Sequence, residues 1–421
     1  MTSTNTDRAD RIIARCRQIA ACTDVPGETT RLFLSPSMHQ VHALLRNWMQ
    51  EAGMTVHIDS IGNLRGLWPG QTSDAPRLLI GSHLDTVPNA GAFDGILGVV
   101  LGVAIIEELH GQHLPFAIEV IGFSEEEGVR FSKPFLGSLA LIGKLDADTL
   151  ARKDRDGITV LEAIQNFGLD PANLRTAALS EEAFAYLEFH IEQGPILEAE
   201  SASLGIVESL VGQTRLQLTF TGHANHAGTT PMHLRHDALT TAADWIVAVE
   251  EYANAHTGLV ATVGRLEASP NAGNVIAGQV TTSLDIRHAN DQARHTAVSS
   301  LTNSANSAAA KRGVQLSVQT QLEQPAVPMS PSLTHLLQAA AEKAGFPSRT
   351  MTSGAGHDAM IVAQRLPTTM LFLRSPGGLS HHPDESVLPQ DIEAALATAM
   401  EFLTLLRDDR ADEAHIKDTH A

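Results

Sequence analysis

The chain has 421 residues, and 29 Lys and Arg stand against 48 Asp and Glu, a formal net charge of −19 at pH 7. At ~150 residues per domain that length predicts two or three domains, and 43% apolar with 18% charged residues excludes a disordered chain. The acidity argues against phosphate backbones and anionic lipid as partners; a local arginine still permits a small substrate with a carboxylate. Two cysteines, Cys16 and Cys22, exclude a disulfide-stapled scaffold. The first residues, MTSTNTDRADR, hold no apolar signal core, and the apolar run 96–106 is about half a membrane span. The expectation is a soluble, cytoplasmic protein with neither a nucleic-acid nor a membrane partner.

Taken in chain order, residues 38–53 place Met38, Val41, Leu44, Leu45, Trp48 and Met49 at helical spacing and stop at Gly53. Residues 54–68 read as a hairpin around Gly62-Asn63. A short apolar strand over 77–81, an apolar helix over 95–111 and a strand over 117–123 follow. Residues 145–183 are mixed and polar, and 184–191 is again a strand. This alternation predicts an α/β fold with a largely parallel sheet flanked by helices. Near residue 212 the pattern changes. TRLQLTFTG (214–222), VATVGRLEA (260–268), QVTTSLDIRH (279–288) and VQLSVQTQ (314–321) alternate polar and apolar, with helices over 236–253 and 291–311 between them. That is a small α+β unit with a four-stranded antiparallel sheet. The α/β pattern then resumes with a helix over 331–344, a strand over 368–375 and a helix over 389–407, ending in a charged tail expected to fray. The predicted organisation is a domain of residues 1–210 plus 327–421, interrupted by an inserted domain over 211–326.

Four predicted strands run into metal-ligand residue types. The first meets His83, Asp85 and Asp94; the second Glu125, Glu126 and Glu127; the third His190 and Glu192; the fourth His381, His382, Asp384 and Glu385. In an open α/β sheet, ligands bind outside the carboxyl ends of the strands. Histidines and carboxylates without thiolates suit zinc, manganese, cobalt or nickel. The candidates outnumber the needs of one open tetrahedral ion; two ions ~3.5–4 Å apart, bridged by a carboxylate, would use them. Asp94, between Gly91 and Gly95, is either that bridge or a plain helix N-cap. Asp85 either orients the His83 imidazole or makes a local turn. Within the glutamate run one carboxylate can bind metal and another can shuttle protons; a solvated charge cluster is the alternative.

The motifs GSHLDTVPNAGAFDG, SEEEGVRF, EFHIEQGPILE, GHANHAGTTPM, NVIAG, DIR and SGAGHDA, with TRLFLSP and GNLRG upstream, resemble the hydantoinase/carbamoylase branch of the dinuclear-metal aminoacylase and carboxypeptidase family, over residues 30–400. The resemblance implies a catalytic α/β domain with an inserted lid or dimerisation domain, hence a homodimer. It implies two divalent ions per subunit, zinc foremost, with His83, Asp94 and His190 around one and Asp94, Glu127 and His381 around the other. Glu126 would be the general base and acid, and His226 would hold the oxyanion. Asn274 and Arg287 would bind a substrate carboxylate, and Gln193 the carbamoyl or carboxylate end. The implied reaction is hydrolysis of a linear ureido C–N bond, with an N-carbamoyl-L-amino acid as first substrate, allantoate as alternative, and ordinary amides after these. Ala90 stands where relatives often carry glycine, and His382 beside His381 leaves two candidates for one ligand, with His381 favoured by register. His357 receives no role.

Overall fold

The computed structural model describes residues 3–419. Four strands, Ala117–Phe123, Arg77–His83, Ala183–Ile191 and Thr368–Leu373, lie side by side in that order and run parallel. Their carboxyl ends therefore share one edge, which is where His83, the loop after Phe123, His190 and the loop after Leu373 emerge. The hairpin Thr55–Ile58 and Leu64–Trp68 extends the sheet antiparallel on one side. Leu204–Leu210 does so on the other, within nine strands in all.

The parallel strands are mostly apolar and buried along nearly their whole length because both sheet faces are covered. The helix Ile96–Glu108 shows why one such cover reads as continuously apolar: every residue from Ile96 to Ile106 is buried. It packs on the strand Arg77–His83 from one side and meets the helices Ser3–Ala20 and Pro389–Thr419 from the other. A side chain at Gly98 would run into the Phe189 carbonyl and Ser82, so this helix rests directly on the sheet.

Two terminal elements depart from the sequence expectation. Residues 1–2 lie outside the described residues; from Ser3 the polar start belongs to the helix Ser3–Ala20, whose Ala9, Ile12, Ile13, Cys16 and Ile19 form a buried stripe at helical spacing. The charged tail continues the last helix to Thr419; residues 407–419 contain neither Gly nor Pro, and Arg, Glu, Ala and Lys favour helix. Residues 420–421 of that tail lie outside the described residues. No described helix is long and apolar enough to cross a membrane.

The chain divides into two compact units: one runs to Glu208 and resumes at Met329, and the other is Ser209–Pro328. In the second unit the strand Gln279–His288 pairs antiparallel with Gly212–Thr221, which pairs with Gln315–Gln324. The strand expected over 260–268 breaks around Gly264 into Val260–Thr262 and Leu266–Ser269, each paired with Gln279–His288, so this sheet has five strands rather than four. The helices Ala238–Asn254 and Asp291–Lys311 cover one face over Leu218, Phe220, Leu284 and Ile286, and Trp245 donates to the Leu301 carbonyl at 3.0 Å. Alternation turns Gln213, Arg215, Asp285 and Arg287 to the opposite face. A separate two-stranded ribbon pairs Asn225–His226 with Val275–Ile276.

Candidate active site

Asp94 is the hub of the strand-end cluster. Its Oδ1 lies 3.2 Å from His190 Nε2 and 3.5 Å from His83 Nε2, and its Oδ2 lies 3.2 Å from His381 Nε2. His381 Nε2 is also 3.5 Å from Glu127 Oε1. Three sets, His83 with Asp94 and His190, His83 with Glu126 and Glu127, and Asp94 with Glu127 and His381, each bring their ligand atoms within 4.8 Å of one another. His382 lies outside this cluster, and its Nδ1 accepts from the Asp384 amide at 3.2 Å.

Backbone groups set the imidazoles. His83 Nδ1 faces the Asp85 carbonyl at 3.0 Å, and His190 Nδ1 faces the Ile191 carbonyl at 2.9 Å. Carbonyl oxygens only accept, so both rings carry hydrogen on Nδ1 and turn Nε2 toward Asp94. Gly95, at φ 69°, makes the close turn: a Cβ there would come within 2.5 Å of the His83 ring.

The glutamates divide into two kinds. Glu125 accepts from the Gly128 and Leu136 amides at 2.5 and 3.2 Å, and Glu192 from those of Ile196 and Leu197 at 2.7 and 2.9 Å. These two are staples for their own loops. Glu126 and Glu127 point into the cluster and are held from behind by Asp85, whose Oδ1 and Oδ2 accept their amides at 2.9 and 3.2 Å. The sequence offers Asp85 either as a group orienting His83 or as a turn residue. Its carboxylate is 3.5 Å from that ring, farther than its own carbonyl, and its hydrogen bonds go to the glutamate loop.

Sequence reasoning assigned no role to Glu385, which the fold places beneath Asp94. Its Oε1 accepts from the Phe93 and Asp94 amides at 2.8 and 3.0 Å, and Gly91 leaves room for it, since a Cβ there would overlap its side chain. Gln193, at φ 60°, donates from Nε2 to Asp94 Oδ2 at 3.1 Å and to Ser380 Oγ at 3.0 Å. His357 is buried, its ring 4.4 Å from that of His190.

Burial and mutual repulsion charge this cluster unfavourably. Burial, with Asp94 adding to it, pushes Glu127 up to about 7. Burial, against the pull of His83, raises Glu126 well above the carboxylate range. Burial also opposes Asp94, but His190, His381 and His83 overcome it and hold that carboxyl well below the usual range. Asp94 Oδ1 is buried with no hydrogen-bond donor. Crowded carboxylates, imidazole Nε2 atoms and an unsatisfied carboxylate oxygen fit divalent cations, which relieve the repulsion and fill the missing contact.

In the Ser209–Pro328 unit His226 is exposed. Its Nδ1 accepts from the Gly228 and Thr229 amides at 3.0 and 3.2 Å, which puts the ring hydrogen on Nε2. Asn274 is on the paired segment, its carbonyl accepting from the Ala227 amide at 2.9 Å. Arg287 is not with them. It lies at the far end of the strand Gln279–His288, eight residues from Gln279 and so roughly 26 Å along the strand.

Residues 79–405 match the sequence pattern of peptidase family M20/M25/M40. The chain belongs to family M20. Within it, the chain is 37% identical to allantoate deiminase 2 of Glycine max, over 94% of this chain and 89% of that one. It is 36% identical to N-carbamoyl-L-amino acid amidohydrolase of Geobacillus stearothermophilus, over 91% and 95%. Among solved M20-like structures, a hydantoinase/carbamoylase family amidase of Burkholderia multivorans superposes with a TM-score of 0.89 at 35% identity, covering 95% of this chain and 97% of that one. This M20 chain is a hydrolase of non-peptide C–N bonds in a metal-dependent family.

Proposed function

We propose that the protein hydrolyses the C–N bond of a linear ureido substrate bearing a carboxylate, an N-carbamoyl-L-amino acid first. Products would be the amino acid, carbon dioxide and ammonia. The observation that carries this reading is the convergence of His83, His190, His381 and Glu127 on one buried carboxylate, Asp94, with Glu126 beside them. A second reading, allantoate as substrate, is supported by the likeness to plant allantoate deiminases.

Two divalent ions, zinc foremost and manganese, cobalt or nickel next, would be held by His83, Asp94 and His190 and by Asp94, Glu127 and His381. Such ions lower the pKa of a water toward ~7 and polarise a carbonyl. Glu126 takes the proton from the attacking water and returns it to the leaving nitrogen. His226 donates Nε2–H to the developing oxyanion, a contact worth ~3–4 kcal/mol at the transition state. Arg287 pairs with the substrate carboxylate, with Asn274 and Gln193 as further polar contacts.

The separation of His226 and Asn274 from Arg287 supports a homodimer. One inserted unit cannot offer both ends of its sheet to a single small substrate, whereas two copies can.

Ammonia release from N-carbamoyl-L-amino acids, N-carbamoyl-β-alanine and allantoate, measured after chelation and after adding back zinc or manganese, tests the proposal. Metal-restored release from one of them is the expected result. Silence on all three with turnover of N-acetyl amino acids or dipeptides would replace it with an aminoacylase reading.

A further inference from the structure

On the helix-free face of the inserted unit's sheet, four residues form a square. Asp285 and Arg287 share that face of one strand, and Gln213 and Arg215 share it on the antiparallel neighbour. Register sets Asp285 opposite Arg215 and Arg287 opposite Gln213. All three partners donate to the one carboxylate. Arg287 does so side-on, from Nε to Oδ1 and from Nη2 to Oδ2, both at 3.1 Å. Arg215 Nε reaches Oδ2 at 3.1 Å and Gln213 Nε2 reaches it at 2.6 Å. Arg215, Asp285 and Arg287 line a cavity of about 620 Å³ together with Gln217, Arg265 and Ser283.

We propose that Asp285 is a positioning residue that presets the Arg287 guanidinium for a substrate carboxylate; this rests on the reading of Arg287 given above. Two effects of Asp285 oppose each other. As an anion beside an anion-binding arginine it competes with the substrate and lowers the local positive potential. As a two-point partner it fixes the plane of a flexible side chain, so that ordering is met on folding and not on binding. It also offsets repulsion between Arg215 and Arg287. The side-on geometry decides for the second effect, because both Arg287–Asp285 bonds form within one strand whose register is locked on both sides. Asp285 is half-buried, so its pairing is screened less than a surface pair. Burial raises its proton affinity, but Arg287, Gln213 and Arg215 overcome this and keep it ionised. Arg215, Arg265 and Arg287 outnumber the one carboxylate, Asp285, around this cavity, which leaves net positive charge for a substrate carboxylate and suits an amide poorly.

The test is steady-state kinetics of the full-length protein on an N-carbamoyl-L-amino acid and on its carboxamide, for Asp285→Asn, Asp285→Glu, Arg287→Ala and the Asp285→Asn/Arg287→Ala pair. Asp285→Asn is expected to raise KM for the carboxylate substrate about tenfold or more with kcat within about threefold, and to leave the carboxamide's KM unchanged. Asp285→Glu, which keeps the charge and shifts it by one methylene, is expected to raise KM less; it also supplies the reading if the Asn variant does not fold. The double variant is expected to be no worse than Arg287→Ala, since Asp285 acts through Arg287. An unchanged or lower KM in the Asp285 variants, or losses that add in full, overturns the proposal. If Arg287→Ala itself leaves the carboxylate KM unchanged, the substrate reading falls and this proposal with it. If Arg287→Ala is impaired and the Asp285 variants are not, only this proposal falls.

Discussion

The cluster around Asp94 and the polar square around Asp285 solve the same problem, holding charged groups still, by different means. At Asp94 nearly every group is buried and anchored on backbone: carbonyls set His83 and His190, and amides of residues 93, 94, 126 and 127 are gripped by Glu385 and Asp85. At Asp285 the groups are half-exposed and hold one another side chain to side chain. Backbone anchoring fits a centre whose geometry must not change between turnovers. Side-chain pairing fits a half-exposed contact that must hold an arginine in place and stay open to a substrate anion. The difference predicts that damage in the first region removes chemistry or metal, while damage in the second weakens binding.

The largest effect is expected at Glu126. Glu126→Gln should lower kcat by about 10³–10⁴, within the range for a general acid–base group, while metal content by atomic absorption stays at the wild-type level. Normal turnover would remove Glu126 from the mechanism. His226→Ala comes next, with kcat down about 10²–10³ and metal content unchanged; since its side chain is exposed, thermal stability should not move. Glu385→Gln should act on the first region without touching substrate. It leaves the loop of Asp94 less firmly held, so chelator competition should show metal affinity lower by about 10–100-fold, with turnover recovering at high metal. Retained affinity would mean that the Asp94 loop holds itself.

The smallest predicted effect concerns stability alone. His42 is buried against Phe167 with neither ring nitrogen hydrogen-bonded, and burial, with His39 and Arg46 adding to it, pushes its pKa down to about 3. Between pH 6.5 and about 3 the unfolded chain binds a proton there that the folded chain does not. Stability should therefore fall as pH drops through that window. His42→Leu should flatten this slope by about one proton, read as urea midpoints at pH 5 and 7.5. An unchanged slope would place the acid sensitivity elsewhere.

The positions of the strand-end clusters were legible because apolar runs end abruptly in ligand residue types. The division of labour among the carboxylates was not. Glu125 and Glu126 are neighbours of one type, and only the loop conformation decides that one binds amides and the other faces the cluster. Glu385 was hidden for a related reason: its partners are backbone amides 291 and 292 residues away. The first helix is hard to see in the sequence because polar residues surround its sparse apolar stripe from Ala9 to Ile19. The break at Gly264 turned one expected strand into two because continuous alternation carries no information about where pairing stops.

The grip of Glu385 on the Asp94 loop has a consequence for synthesis. The ribosome delivers the loop early and its anchor late, with the whole inserted unit between them. At ~5–20 residues per second the nascent chain waits roughly 15–60 s between the two. During that interval three of the four parallel strands can form but the Asp94 loop lacks its brace, so a chain released early should carry a partial sheet without a competent centre. Possession of the centre thus certifies that translation has passed residue 385, and the insert has time to fold as a guest before its host is finished.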